Sequence, residues 1–138
     1  MIEYKTRAIT ITLRPNGIIH VSNNEDWNEL DTLESTQENI TLLKEVFDGQ
    51  PDRCLLFEMP NRHVRKELLD CYQRAEWGEV AIALLLTSYG AKIVGNLYLK
   101  LSKNKPNEAG RVVPTKLFSN EEIAETWLLE QVKAQKNK

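Results

Sequence analysis

Short apolar segments alternate with amphipathic segments along most of this chain, and that alternation restricts the fold more than any other feature of the sequence. Residues 54–57 and 80–86 are continuous apolar runs, which are typical of strands covered on both faces of a sheet. The segments between and after them place apolar residues three and four positions apart, as helices packed on a sheet do. Strands that alternate with helices predict a mainly parallel sheet with right-handed crossovers.

The two ends of the strand pattern predict how this sheet begins and finishes. Residues 8–14 alternate apolar and polar side chains, residues 15–17 (Pro-Asn-Gly) favour a tight turn, and residues 18–21 form a second strand. This hairpin adds one antiparallel pair. Residues 112–118 predict a strand at a sheet edge, because Pro114 cannot donate a backbone hydrogen bond. The most apolar run, residues 80–86, is expected at the centre.

Four amphipathic segments predict helices, with an N-cap residue at the start of each. The expected caps are Asp31, Asn61, Ser88 and either Ser119 or Asn120, and the second helix is expected over residues 62–76. Residues 102–110 are polar and contain Pro106 and Gly110, which predicts a mobile loop. The fold class is therefore α/β: a mixed, mostly parallel five-stranded sheet with four helices in the order ββαβαβαβα. We expect one domain over residues 1–138, with an ordered core at about residues 8–132.

Composition and charge exclude several classes of protein. The chain has 138 residues, of which 41% are hydrophobic and 28% charged, as in ordinary globular domains. A net charge of −2 gives no general excess of positive charge for binding nucleic acid. The longest apolar run is far shorter than the roughly 20 residues of a membrane helix, and the first residues lack the apolar region of an export signal. We expect a cytoplasmic protein with no nucleic-acid partner and no membrane insertion.

The residues that usually carry chemistry are few and scattered. Cys54 and Cys71 lie 17 positions apart, so we expect reduced thiols rather than a metal or redox pair. His20 and His63 are the only histidines and belong to different elements, which argues against zinc, and His20 is expected to face solvent. A P-loop, a GxGxxG motif and a nucleophile elbow are absent from the sequence. The sequence therefore predicts no catalytic residue, no metal ligand and no cofactor.

The three tryptophans have different expected environments. Trp27 lies in the acidic loop between the hairpin and the first helix. It is expected either to pack at the edge of the core or to contact a partner, and packing at the core edge is favoured. Trp77 precedes Gly78 and is expected to close the second helix onto the sheet. Trp127 lies on the apolar stripe of the last helix and is expected in the core.

A basic segment follows the third strand and is the best candidate for a binding site. If Asn61 caps the second helix, free backbone N–H groups lie beside Arg62, His63, Arg65 and Lys66. Such a helix start attracts anions, and α/β sheets bind ligands at the carboxyl ends of their strands. Ser88 is expected at the same edge, so the candidate ligand-binding residues are Asn61, Arg62, His63, Arg65 and Ser88. The alternative is that these charges are only solvated.

Two segments carry a resemblance to a known family. Residues 117–128 (Leu-Phe-Ser-Asn-Glu-Glu-Ile-Ala-Glu-Thr-Trp-Leu), and residues 91–99 after an apolar strand, resemble short bacterial STAS/Sec14-like proteins. STAS domains are those of sulfate transporters and anti-sigma-factor antagonists, and the resemblance covers roughly residues 8–130. It implies a STAS-like fold. In the antagonists a Ser or Thr before the second helix accepts a phosphate, but the matching residues 58–63 contain no hydroxyl, so this phosphorylation does not carry over.

Two functions remain after these arguments. The favoured interpretation is a non-catalytic regulatory or binding module that acts through a protein partner, through self-association or through a small anionic ligand. The alternative is an enzyme, or a carrier of a small ligand or lipid, with an anion-binding site at the start of the second helix. A deep concave site with shifted pKa values would favour the alternative.

Overall fold

A computed structural model describes residues 2–27, 29–51 and 53–137, and in this part of the chain it shows six strands and four helices. The α/β class and the four helices are confirmed, and the extra strand precedes the predicted hairpin. The elements are β1 (Ile2–Lys5), β2 (Ile9–Leu13), β3 (Ile18–Asn23), α1 (Leu33–Phe47), β4 (Cys54–Glu58), α2 (Lys66–Arg74), β5 (Ala81–Leu85), α3 (Tyr89–Ser102), β6 (Thr115–Phe118) and α4 (Glu121–Lys136).

The strands lie side by side in the order in which the chain makes them, from β1 to β6. The pairs β1–β2 and β2–β3 are antiparallel, and the three later pairs are parallel, so the sheet is mixed and mostly parallel as predicted. When successive right-handed crossovers all move in the same direction across a sheet, the helices in those crossovers lie on the same face of the sheet. Residues of α1, α2 and α3 accordingly share one hydrophobic core, whereas α4 packs on the opposite face.

The two cores explain the continuous apolar runs. Side chains alternate between the faces of a strand, so Leu55 and Leu84 contribute to the core under α1–α3, whereas Leu56 and Leu85 contribute to the core under α4. All residues of β5, and the four apolar residues of β4, are buried. The expected edge position of the last strand is confirmed for β6. The expected central position of residues 80–86 is wrong in detail, because β5 lies next to that edge while β3 and β4 occupy the middle.

Two helices begin at residues that differ from the predicted caps. Thr32, not Asp31, caps α1: its hydroxyl accepts a hydrogen bond from the Ser35 N–H, and the Ser35 hydroxyl accepts one from the Thr32 N–H. The predicted helix start behind Asn61 is wrong, because α2 begins at Lys66 and its N-cap, Arg65, provides no side-chain hydrogen bond. The buried Val64 ties the loop before α2 to the core.

The remaining local predictions have mixed outcomes. Ser88 caps α3 and Asn120 caps α4, both as expected. Trp27 packs at the edge of the first core, and Trp77 is buried and stacks on Phe47, with ring centroids 6.2 Å apart. Trp127 is only partly buried, beside Phe118 and not within the core, which corrects the prediction.

Candidate functional site

The strands β3 to β6 run in parallel, so the segments that follow them lie along one edge of the sheet. We call the part of this edge formed by residues 29–33, 61–66 and 88–93 the carboxyl rim. It contains the start of α1, the loop before α2 and the start of α3. All five predicted ligand-binding residues belong to this rim.

An ion pair ties the first two segments of the carboxyl rim together. Arg62 donates two hydrogen bonds to the Asp31 carboxylate, from Nε at 2.8 Å and from Nη2 at 2.9 Å. The pair is shielded, with 28% of the Arg62 side chain and 13% of the Asp31 side chain exposed. Arg62 is therefore already engaged by the protein and is not a free anion clamp, contrary to what a helix start at this position implied.

Close packing ties the second and third segments of the carboxyl rim together. A Cβ atom placed on Gly90 would collide with Oδ1 of Asn61, so a larger residue at this position would require the Asn61 side chain to move. Two residues before it, Ser88 Oγ accepts a hydrogen bond from the Ala91 N–H at 3.1 Å. The structure thus brings Asn61, Arg62 and Ser88 into one continuous framework, while His63 and Arg65 project from it as exposed side chains.

Exposed apolar side chains are concentrated on the carboxyl rim. Of the nine large hydrophobic side chains that are exposed within residues 2–27, 29–51 and 53–137, four lie here: Leu30, Leu33, Tyr89 and Ile93. Leu30 is 85% exposed and Tyr89 is 80% exposed. Clustered exposed apolar groups rimmed by polar residues mark interaction sites more often than singly scattered ones do. The sequence analysis did not identify these four side chains as an exposed group, and the helical spacing of Leu33 indicated a buried face.

The charges of the carboxyl rim divide into two halves. Glu29, Glu34 and the paired Asp31 lie at the start of α1, and Glu34 contacts Arg7 at 3.8 Å. Arg65, Lys66 and Lys92 lie at the starts of α2 and α3, with Glu67 beside them. The side chains of these three cations are exposed and form no ion pair within the part of the chain that the structure describes. The basic half is therefore open to an outside partner.

The cavity beneath the carboxyl rim is small. Its volume is about 30 Å³, and its lining includes Asn39, Phe57, Tyr72 and Tyr98. Asn39 accepts a hydrogen bond from the Thr6 hydroxyl at 2.6 Å and donates one to the Tyr72 hydroxyl at 2.8 Å. Burial raises the pKa of Tyr72 to about 12, so this phenol stays neutral at physiological pH. A space of this size suits a water molecule or two, not a lipid or a metabolite.

A second polar cluster, at the opposite end of the sheet, has Glu79 at its centre. This carboxyl is 1% exposed, and its Oε1 accepts a hydrogen bond from Arg111 Nη2 at 3.2 Å. Burial, with a further effect of the neighbouring Glu76 charge, raises the pKa of Glu79 to about 8. The Oε2 atom of Glu79, Oε1 of Gln73 and Nε1 of Trp77 have no hydrogen-bond partner in the described structure, and the three residues line a cavity of about 20 Å³.

The Glu76 carboxylate ties the segment before β6 to this cluster. It accepts hydrogen bonds from the Gly78 N–H, from Asn107 Nδ2 and from both Nε and Nη2 of Arg111. Burial acts to raise the pKa of Glu76, but these hydrogen bonds outweigh it and hold the pKa below its usual value. The loop predicted to be mobile, residues 102–110, is thus anchored along much of its length, which the polar composition did not reveal.

His20 is the remaining candidate for chemistry, and it is partly buried, not fully solvent-facing. Its Nε2 lies 3.3 Å from Oε2 of Glu58, and Nη2 of Arg14 lies 2.9 Å from its Nδ1. Arg14 in turn pairs with Glu121 and Glu125 at the start of α4. The cluster therefore ties β2 and β3 to α4. Among the described residues, no group of three or more His, Cys, Asp or Glu side chains is placed to hold a metal ion.

Comparison with known proteins gives one match. A family model described as a domain of unknown function (DUF7793) matches residues 11–132. No curated protein and no solved structure matches the chain. Within the described residues, none of the helices has the length and apolar character needed to cross a membrane.

Proposed function

The chain belongs to DUF7793, a family of domains of unknown function, and we propose that it is a non-catalytic binding module that engages a protein partner through the carboxyl rim. The observation that carries this proposal is the exposure of Leu30, Leu33, Tyr89 and Ile93 on one rim. A regulatory role of the STAS type is part of the proposal. It is supported by the resemblance of residues 91–99 and 117–128 and by the βα order of the elements after β3.

The apolar groups supply the driving force for partner binding. Burial of apolar surface contributes roughly 25 cal/mol per Å², so covering side chains as exposed as Leu30 and Tyr89 is strongly favourable. Tyrosine is also enriched among the residues that dominate interface energetics. Tyr89 stands on the first turn of α3, beside the contact of Asn61 with Gly90, so its backbone is held in place before a partner arrives.

The charges define the chemistry of the partner. Arg65, Lys66 and Lys92 are exposed near the starts of α2 and α3, where Tyr89 and Ile93 also lie, and they form no ion pair in the described structure. A complementary surface carries acidic side chains around apolar ones, because opposite charges steer association and like charges oppose it. We therefore propose an acidic, amphipathic segment of a partner protein. His63 and Arg65 contact this segment, whereas Asn61, Arg62 and Ser88 shape the surface that receives it.

The size of the cavity beneath the carboxyl rim supports binding on the rim surface over enclosure of a substrate at this site. An enzyme or carrier encloses its substrate in a concave site of several hundred Å³. The cavity beneath the rim has about 30 Å³, and the Arg62–Asp31 pair lies along it. A rim with exposed apolar groups suits contact with a protein surface instead.

A photo-crosslinking experiment tests this proposal. A benzophenone amino acid replaces Tyr89 on the carboxyl rim or, as the matched control, Val112, which is 53% exposed and lies before β6 away from the rim. After irradiation in cells of the source organism, we expect a discrete protein adduct at Tyr89 and none at Val112. Adducts of equal yield at both positions, or none at Tyr89, would overturn the proposal.

Charge reversal then tests the basic half of the carboxyl rim. With the cross-linked protein purified, Arg65→Glu/Lys66→Glu is expected to weaken its binding by about tenfold or more, because two attractive contacts become repulsive. The control Lys100→Glu/Lys103→Glu makes the same change in net charge at the other end of α3 and is expected to bind as the wild type does. If both variants lost the same binding affinity, the loss would result from the change in net charge alone, and this would contradict the proposed contact.

A further inference from the structure

The two edges of the sheet differ in their capacity to pair with another strand. Beside β6, Pro114 has no backbone N–H, and Lys116 interrupts the apolar pattern of the strand. At the other edge, β1 contains no proline, and all four of its residues are exposed. Ile2 is 53% exposed and Tyr4 is 36% exposed on an edge that no described element covers. An uncovered edge of this kind is a template for a further strand.

The hydrogen-bond pattern shows which groups of β1 point outward. Residues of an antiparallel pair alternate between hydrogen-bonded and non-hydrogen-bonded positions. The Thr6 N–H donates to the Ile9 carbonyl at 3.0 Å, and this pair continues the register in which Tyr4 lies opposite Ile11. Tyr4 therefore directs its backbone groups towards β2. Glu3 and Lys5, one position out of phase, direct theirs away from β2 and towards the open edge.

We propose that β1 pairs antiparallel with β1 of a second copy of this chain, forming one continuous sheet across a two-fold axis. Such an axis is perpendicular to the sheet, so residues that lie opposite each other must share a face. This condition is met only when the axis passes beside a residue of β1, so that this residue lies opposite the same residue of the second copy. An axis at Ile2 pairs no residue of β1 except Ile2 with its own copy. An axis at Glu3 puts two carboxylates opposite each other, and an axis at Lys5 does the same with two ammonium groups.

An axis at Tyr4 gives a self-complementary register. Glu3 then lies opposite Lys5 of the second copy, and Lys5 lies opposite Glu3 of the second copy. These are the residues with outward backbone groups, so the same register makes four backbone hydrogen bonds and two ion pairs. Within the sheet, Glu3 and Lys5 lie beside Thr12 and Thr10, so no charge on β2 competes for them. The two Tyr4 rings meet on the other face.

Charge-swap variants test this register by sedimentation velocity. A single pair of strands buries less than the roughly 1,600 Å² of a standard interface, so the wild type is expected to dimerise weakly, over about 10 µM to 1 mM. Glu3→Lys and Lys5→Glu each place like charges opposite each other and are expected to remain monomeric. The double variant Glu3→Lys/Lys5→Glu, and an equimolar mixture of the two single variants, are expected to dimerise again.

The matched control is Glu130→Lys, which makes the same charge change on an exposed face of α4 and is expected to dimerise as the wild type does. Circular dichroism melting confirms that each variant is folded. A wild type that is monomeric at about 1 mM, or single variants that dimerise like the wild type, would overturn the proposal. So would a mixture of the single variants that stays monomeric.

Cysteine substitution gives an independent reading of the register. Opposite residues at a non-hydrogen-bonded position have Cα atoms about 4.5 Å apart, within the range that a disulfide spans. Tyr4→Cys is therefore expected to form a covalent dimer under mild oxidation, whereas Glu3→Cys, Lys5→Cys and the identically treated wild type are not. Cross-linking at position 3 or 5 in place of position 4 would contradict the proposed axis.

Discussion

Glu79 is the residue whose environment departs most from what its type predicts. It lies two residues before β5, and a carboxyl in that position is expected to be solvated at a strand end. It is instead buried, with one oxygen on Arg111 and the other without a partner in the described structure. Its pKa of about 8 means that the folded protein holds a proton that the unfolded chain, with a pKa near 4.5, releases. From about pH 4.5 to 8, stability therefore falls as the pH rises.

Replacement of Glu79 by glutamine tests this dependence of stability on pH. The amide oxygen of the new side chain keeps the acceptor for Arg111, and the amide imitates the protonated carboxyl. The melting temperature of Glu79→Gln is therefore expected to be close to that of the wild type at pH 5 and higher than that of the wild type at pH 8. Each pH unit in this window lowers wild-type stability by about 1.4 kcal/mol at most. Denaturant unfolding from pH 5 to 8 measures the effect, with Glu108→Gln as the exposed control. A Glu79→Gln protein that is less stable than the wild type at pH 8 would contradict this assignment.

Trp127 and Leu128 show how two adjacent residues of α4 differ in their contribution to stability. Leu128 is fully buried against the sheet, whereas Trp127 is only partly buried beside Phe118. Leu128→Ala is expected to cost about 2–5 kcal/mol, the usual range for a buried leucine, and Trp127→Ala is expected to cost less despite its larger side chain. Urea denaturation measures both. A greater loss from Trp127→Ala would place the indole in the core after all.

At the scale of elements, the Glu76 carboxylate is a main anchor of the segment between α3 and β6, beside the contacts of Lys105 with Asp70 and of Glu108 with Lys44. Glu76 accepts hydrogen bonds from Asn107 and Arg111, and Arg111 also reaches Glu79. We expect Glu76→Ala to release residues 103–111 and to speed tryptic cleavage after Lys103 several-fold, because local opening controls proteolysis. Glu67→Ala, an exposed change in the first turn of α2, is the control. Cleavage at the wild-type rate in Glu76→Ala would show that the anchoring lies elsewhere.

The carboxyl rim marks the limit of prediction for the candidate site. Sequence placed Asn61, Arg62, His63, Arg65 and Ser88 at the right edge of the sheet, because strand ends and helix starts are encoded locally. It did not find the Arg62–Asp31 pair or the contact of Asn61 with Gly90, since both join residues about 30 positions apart. Without these two contacts, the sequence predicts that the second helix already begins at residue 62, and it leaves a protein partner and an anionic ligand both open.

For the whole molecule, the order of the elements was predictable and their spatial order was not. Alternating periodicities predicted the α/β class, the strands of the hairpin and four helices, and Pro114 predicted the edge at β6. The strand β1 was missed although residues 2–5 (Ile-Glu-Tyr-Lys) alternate, because four exposed residues bury nothing that marks them as a strand. The arrangement of strands in chain order also depends on the direction of each crossover. A parallel sheet with the same strands admits several orders.

The division of the sheet between its two faces has a consequence for synthesis of the protein on the ribosome. The strands and the helices α1 to α3 emerge in an order that lets each one pack on what is already made. The opposite face, with Ile18, Leu56 and Leu85, receives its cover only from α4, among the described elements the last to be translated. Until then a nearly complete domain presents an apolar sheet face to water or to a chaperone, so the final 16-residue helix decides whether the nascent chain escapes aggregation.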